Sequence, residues 1–306
     1  MGQRTLADRM TVLDPPAFWP TLRASLSLFR HARPGLRDPD ALPVIERAAR
    51  DVTLDAAWLA RYGASVGAVA DGTLPPLALQ MAAAPLHLAM LADARFPFKA
   101  LGLVHLSQQV NQTRAIRTDE PLNLRAFTCD ARGEKRGMSF CIRTEASSDG
   151  EVVWQGSTRA LASDPALAAK SRKRSVAEPH IADAAPPSPI SETLLQVPED
   201  MGRRYAAIAG DLNPIHQRAV LARMFGFRRA IVHGTWTLAR ALSLSGLPGS
   251  PVFTLDAAFR RPVELPSDVM VRVWNRAGDA TQRVEVVRAG DGSLCLGVDL
   301  RMGPPH

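Results

Sequence analysis

"AGDLNPIHQ", Ala209 to Gln217, sets a carboxylate, a carboxamide, a proline and an imidazole within nine residues flanked by apolar sequence. Asp211 and His216 are the residue types of an acid/base pair, the one able to accept a proton and the other poised to exchange one near neutral pH. The Asn213-Pro214 step suits neither helix nor strand, because proline lacks an N–H and pushes the preceding residue toward extended dihedrals. A rigid turn is therefore expected, with Asp211 and His216 carried on its two sides. The spacing alone also fits an Asx-turn capping a helix that begins near His216 and runs through "QRAVLARMFGF".

The elements that must position such a pair repeat along the chain. "MSFCIRTEA" and "EVVWQGSTRALA" are rich in β-favouring residues and are joined by "SSDG", a turn sequence. "SDVMVRVWNRAG", "ATQRVEVVRAG" and "SLCLGVDLRM" give the same pattern near the C-terminus, with glycine-containing turns between them. Ahead of each set lies an apolar helix candidate, "LALQMAAAPLHLAMLAD", interrupted by Pro85, and "GTWTLARALSLSGL". A helix followed by several long strands, twice over, predicts a duplicated α+β domain in which an antiparallel sheet wraps a hydrophobic helix. The duplication is one of organisation rather than residue identity. The expected boundaries are an N-terminal extension over 1–50, whose "PAFWPTLRASLSLF" reads as an amphipathic helix, a first repeat over 51–163, a Pro/Ala/Ser-rich linker over 164–188 and a second repeat over 189–306.

Composition narrows the function classes. The 306 residues are 46% hydrophobic and 22% charged, ordinary for a chain that folds around a core. No run of about 18 apolar residues occurs, and the first residues lack the basic-then-apolar layout of a secretory signal, so a cytoplasmic location without membrane contact is expected. Much of the net charge of +7 sits in "KSRKR", Lys170 to Arg174, inside the linker. With 6% aromatic residues and no basic recognition element, nucleic acid is not an expected partner. Cys129, Cys141 and Cys295 are far apart in sequence, without the spacing of a zinc site or redox pair, and read as reduced core residues.

Three blocks in order, "YAAIAGDLNPIH" (Tyr205 to His216), "FGFRRAIVHGTW" (Phe225 to Trp236) and "FRRPVELPSD" (Phe259 to Asp268), resemble the MaoC-like, or R-specific enoyl-CoA hydratase (hydratase 2), family. "LPPLALQMAAAPLHLAML" and "FPFKALGLVHLSQQV" resemble the degenerate partner repeat of its double hot-dog members, without an Asp-x-Asn-Pro-x-His. The resemblance spans about Asp51 to Met302. It implies a double hot-dog fold, two antiparallel sheets each wrapping a central helix, and a hydro-lyase that reversibly adds water to trans-2-enoyl thioesters of CoA or acyl-carrier protein to give (3R)-3-hydroxyacyl thioesters, in fatty acid metabolism or related pathways. No metal and no cofactor are implied, and a homodimer is compatible with such folds. A hot-dog thioesterase and a non-catalytic acyl-binding subunit are the competing classes.

Carried onto this chain, the resemblance makes Asp211 and His216 the catalytic pair, holding one water between them, the carboxylate fixing the imidazole and raising its pKa. Asn213 either orients the loop or water or simply forms the turn; Tyr205 and Pro214 read as structural. The resemblance places the hot-dog helix after "VHG", so that the backbone N–H of Gly234 donates to the thioester oxygen, although an ordinary helix-entry glycine has the same sequence. His233 is a packed histidine or a further substrate contact. Arg228, Arg229, Arg260 and Arg261 are candidates for the phosphates of CoA or phosphopantetheine, or else solvated strand-end residues. Ser243 and Ser245 do not fall in register with the serine that family members carry on this helix. The repeat lacking the pair is expected to open a groove for a long or bulky acyl chain.

Overall fold

The computed structural model of this chain describes residue 33 and residues 35–164, 188–246, 252–275 and 281–303. The amphipathic stretch at 16–29 and nearly all of the linker, including "KSRKR", lie outside these residues.

Alternating burial builds the strands. In Ser267–Asn275, Val269, Val271 and Val273 are buried while Asp268 and Met270 turn to the other face, the two-residue period of a half-buried strand. The first half contains β1 (Glu46–Val52), β2 (Leu103–Gln112), β3 (Leu122–Glu134), β4 (Gly137–Ser148) and β5 (Glu151–Ser163). The second contains β6 (Ser191–Val197), β7 (Phe253–Phe259), β8 (Ser267–Asn275), β9 (Thr281–Arg288) and β10 (Leu294–Met302). The "SSDG" turn is a tight hairpin between β4 and β5, with Asp149 and Gly150 both at positive φ (51° and 86°), the conformation that matches strand twist.

The strand order is β1-β3-β4-β5-β2-β7-β10-β9-β8-β6. Counted from either edge inward, each half runs first, third, fourth, fifth, second, so the duplication is exact in topology. The two half-sheets are not separate: β2 pairs antiparallel with β7, from Ser107 opposite Ala258 to Gln112 opposite Phe253, and fuses them into one ten-stranded sheet. β1 forms the edge of the first half against β3, so residues 46–50 belong to the repeat and not to an N-terminal extension. Cys129 and Cys141, distant in sequence, are register partners on β3 and β4.

Each half carries two kinds of helix. α1 (Ala56–Val66) leads to α2 (Ala78–Ala82) and α3 (Ala84–Ala92), while α4 (Met201–Ala209) leads to α5 (Ala219–Arg223) and α6 (Gly234–Leu244). The first apolar helix breaks at Ala83, just before Pro85, which cannot donate within a continuous helix. In α6, Trp236, Leu238, Ala241 and Leu242 are buried on nearly all sides, as a helix enclosed by a sheet requires. It is tied to the other half from its first turn and its last: Trp236 Nε1 donates to the Ser65 carbonyl at 2.9 Å and Ser243 Oγ to the Val66 carbonyl at 2.6 Å.

The repeats also share residues. α1 ends at Gly67 (φ 70°) and α4 at Gly210 (φ 71°), and each glycine is preceded at the same distance by Arg-Tyr, Arg61-Tyr62 and Arg204-Tyr205, with both tyrosines fully buried. After Gly67 the chain supplies Leu74, Pro75 and Leu77 around an apolar cavity of about 240 Å³ that also touches Ala239 and Leu242. This is the counterpart of the site that follows Gly210, without its chemistry.

Candidate active site

Successive local turns build the site. Gly210 ends α4 in the left-handed conformation, which redirects the chain without a Cβ clash. Asp211 Oδ1 then accepts the Asn213 N–H at 3.0 Å, and Asn213 Oδ1 accepts the Ile215 N–H at 3.3 Å. Asn213 has extended dihedrals (φ −52°, ψ 127°), as the following proline demands, and Pro214–His216 form a single 3-10 turn. The helix expected to continue from His216 through "QRAVLARMFGF" is only this turn plus the short α5, since Arg218 is extended between them. Asn213 thus forms the turn through its side-chain oxygen, and Asp211 is left with Oδ2 facing inward.

The segment before α6 runs beside this loop. The Ile231 N–H donates to the Ile215 carbonyl at 3.1 Å, and the Ile231 carbonyl accepts His216 Nδ1 at 2.8 Å. A carbonyl can only accept, so Nδ1 carries the proton and Nε2 of the neutral ring presents its lone pair. That Nε2 lies 3.8 Å from Asp211 Oδ2, too far for a direct hydrogen bond and suited to one shared water. The imidazole is therefore oriented by Ile231 and not by the carboxylate, contrary to the sequence expectation. Gly202 lets α4 press against the turn, because a Cβ there would stand 2.1 Å from the His216 carbonyl oxygen.

His233 is closer to the pair than its sequence suggests. Its ring stacks on that of His216 with centroids 3.6 Å apart, its Nε2 donates to the Asp211 carbonyl at 3.2 Å, and the same nitrogen is 3.7 Å from Asp211 Oδ2. Burial, and then the neighbouring His216, lower its pKa to about 3, so it is neutral at physiological pH. Its buried Nδ1 has no hydrogen-bond partner among the described residues. For Asp211, burial resists ionisation, but the fields of His233 and His216 and the Asn213 N–H outweigh it and hold the carboxyl below its ordinary range. The three side chains place possible metal-ligand atoms within 4.8 Å of one another. With His216 Nδ1 and His233 Nε2 both committed to carbonyls, Asp211 Oδ2 and His216 Nε2 face each other without a direct hydrogen bond.

α6 begins at Gly234, with His233 as its N-cap, so the first backbone N–H groups of an eleven-residue helix open beside the pair. Phe259 of β7 covers this glycine: a Cβ on Gly234 would lie 3.0 Å from the ring. The other neighbour of that ring is His105 of β2, at 4.3 Å. Tyr205, read as structural, packs edge-on against His233 and donates to Met81 Sδ at 3.0 Å.

Two cavities meet at this centre. One, of about 260 Å³, is lined by His216, Gly234, Phe259, Arg260 and Arg261. The other, of about 390 Å³, runs under the first half past Met81, Ala84, His87, Leu88 and Leu91. Asp211, Asn213, His233, Thr235, Leu103 and His105 belong to both. Arg228 and Arg229 are exposed and line neither; Arg229 donates to the Pro266 carbonyl at 3.5 Å. The first half's contribution, Leu103, His105 and His87, carries no local motif and was not singled out from sequence as part of the site.

Comparisons with known proteins agree with the fold. The profile of the MaoC like domain matches residues 180–294. The 3-hydroxyacyl-thioester dehydratase X of Mycobacterium tuberculosis (strain ATCC 25618 / H37Rv) is 28% identical over 240 residues, covering 77% of this chain and 82% of that protein. The crystal structure of HtdX from Mycobacterium tuberculosis superposes with a TM-score of 0.70 at 24% identity, over 85% of this chain and 100% of that one. A double hotdog fold protein of Mycobacterium tuberculosis superposes with a TM-score of 0.51 at 15% identity, over 90% of this chain and 97% of that one. The fold, the domain match and the relative converge: the chain has a double hot-dog fold, residues 180–294 match the MaoC like domain, and most of its length is similar to a 3-hydroxyacyl-thioester dehydratase.

Proposed function

We propose that this protein reversibly hydrates trans-2-enoyl thioesters to (3R)-3-hydroxyacyl thioesters, with the thioester carried by CoA or an acyl-carrier protein. The observation that carries the reading is the convergence of Asp211 Oδ2 and His216 Nε2 on one point, 3.8 Å apart, beside the helix start at Gly234. A water held between the two would donate a hydrogen bond to each. As its oxygen bonds to the β-carbon, one O–H bond breaks toward His216 Nε2 and the π pair shifts through the α-carbon toward the thioester oxygen. The Gly234 N–H and the positive end of α6 meet the negative charge there. The imidazolium, stabilised by ionised Asp211, then returns its proton to the α-carbon, and the neutral ring is restored. Dehydration runs the same path backwards.

Arg260 and Arg261, on the rim of the smaller cavity, suit the phosphates of the carrier, and the cavity under the first half suits the acyl chain. The role of His233 is to hold Asp211 in place through its carbonyl; a group with its pKa near 3 is a poor base at neutral pH. The test is the fall in enoyl absorbance when the protein meets crotonyl-CoA and longer trans-2-enoyl-CoAs, followed by chiral analysis of the product. Activity giving the (3R) product, abolished by Asp211→Asn and His216→Ala in folded protein, is expected. Release of free CoA thiol without hydration would replace the reading with a thioesterase.

A further inference from the structure

The cavity that runs from the reacting groups beneath the first half is not lined as a plain alkyl chain would require. Gln80, His87, His105 and Thr158 stand in its wall among Met81, Leu88 and Leu91. Some of this polarity is closed on itself. Gln80 Nε2 donates to Thr158 Oγ1 at 3.1 Å, Thr158 Oγ1 to Gln108 Oε1 at 2.7 Å, and Gln108 Nε2 back to Gln80 Oε1 at 3.2 Å, a ring that satisfies its members. His105 gives Nε2 to the Ser107 carbonyl at 3.1 Å and its ring face to Phe259. His87 is different: it spends Nε2 on the buried Thr144 hydroxyl at 2.7 Å, and its other nitrogen bonds no protein group among the described residues.

We propose that this cavity selects acyl chains bearing an uncharged hydrogen-bonding group, a hydroxyl or keto oxygen, on the tail, with His87 as its partner. The inference rests on the acyl-thioester reading above and names the substrate class within it. Position supports it. Met81 touches Tyr205, which packs on His233, and α3 carries Ala84, His87, Leu88 and Leu91 onward along one helical face. His87 lies one turn of α3 beyond Ala84, and both line the cavity. Charge decides the class of group. Among the described residues no lysine or arginine lines this cavity, and burial, with His105 nearby for His87, lowers both imidazoles to about 4, so a carboxylate on the tail would meet no cation there. A saturated tail would strand the free nitrogen of His87 against methylene groups, an unmet hydrogen bond worth on the order of tenfold in affinity.

The experiment uses saturated thioesters, so that it reads recognition independently of turnover. Binding of decanoyl-CoA, of hydroxydecanoyl-CoAs with the hydroxyl at each mid-chain carbon, and of the ω-carboxy analogue is measured by calorimetry on the full chain, on His87→Leu and on His87→Gln. In the native protein one hydroxy isomer binds about tenfold tighter than decanoyl-CoA, and the carboxy analogue binds most weakly. His87→Leu, checked for folding by thermal melting, abolishes the ratio, and His87→Gln keeps part of it. If His87→Leu does not fold, the native isomer scan and His87→Gln decide. Decanoyl-CoA binding as tightly as every hydroxy isomer, or a ratio indifferent to the substitution, overturns the proposal. Failure of the hydratase reading is distinct: enoyl thioesters are then not hydrated while the tail preference stands. Binding of no thioester overturns both.

Discussion

His216 and His233 lie face to face, 3.6 Å between ring centroids and 23° between planes, and both direct Nε2 within 4 Å of one Asp211 oxygen. The rings are held apart in function by the carbonyls they bind. His216 gives Nδ1 to Ile231 and keeps Nε2 free, while His233 gives Nε2 to the backbone of Asp211. Replacing His233 with Ala should remove a support rather than a proton carrier. We expect kcat to fall by about one to two orders of magnitude with KM nearly unchanged, the pattern of lost transition-state positioning. An equal loss in His233→Gln, which can still donate to the Asp211 carbonyl, would count against that role.

Gly234 admits no side chain without moving Phe259, whose ring atoms stand 3.0 and 3.2 Å from where a Cβ would be. On the proposed mechanism Gly234→Ala should lower kcat by roughly tenfold or more, by displacing the amide assigned to the thioester oxygen. Adding Phe259→Leu makes room and should restore part of the rate. Steady-state kinetics of the single and double variants measures the coupling.

Gly202 is a structural counterpart. A Cβ there meets backbone, the His216 carbonyl oxygen at 2.1 Å and its carbon at 3.1 Å, and backbone cannot swing aside as a side chain can. Gly202→Ala should cost several kcal/mol by overpacking and displace the loop. Thermal melting reads the first effect, and loss of activity in the surviving folded fraction reads the second.

Arg260 and Arg261 rim the smaller cavity, whereas Arg228 and Arg229 line neither cavity. Alanine at the first pair should raise KM for a CoA thioester several-fold with kcat preserved, most strongly at low salt, the behaviour of phosphate contacts made equally in ground and transition states. Alanine at the second pair should leave KM within about twofold. Parallel titrations with crotonyl-CoA at two ionic strengths distinguish the pairs.

Acid should unfold the protein through buried neutral histidines. His87 and His105 are lowered to about 4 and His233 to about 3, each chiefly by burial. In the unfolded chain they titrate near 6.5, so between these limits the unfolded state binds more protons and stability declines as pH falls. By pH 5 the loss is roughly 2 kcal/mol for each histidine. Denaturant midpoints from pH 7 to 5 should fall steadily, and His87→Leu should flatten the slope.

The sequence by itself determined the local pieces. Alternation in "SDVMVRVWN" specified a half-buried strand, Asp149-Gly150 specified a hairpin, and the Asp211 to His216 motif marked the candidate site. These follow from dihedral preferences and burial periods that act over a few residues. The tertiary structure decided which edges meet and therefore what surrounds the motif. The β2–β7 pairing fuses two half-sheets and brings His105 against Phe259. The arrangement of the halves sets α3 of the first beside the motif loop of the second, and Trp236 reaches Ser65 across 171 positions. Even the shared Arg-Tyr stretches ahead of Gly67 and Gly210 emerged only once the helices were aligned by fold. Such contacts leave no periodic trace in the chain, because their energy comes from burying apolar faces against partners that are neighbours only after folding.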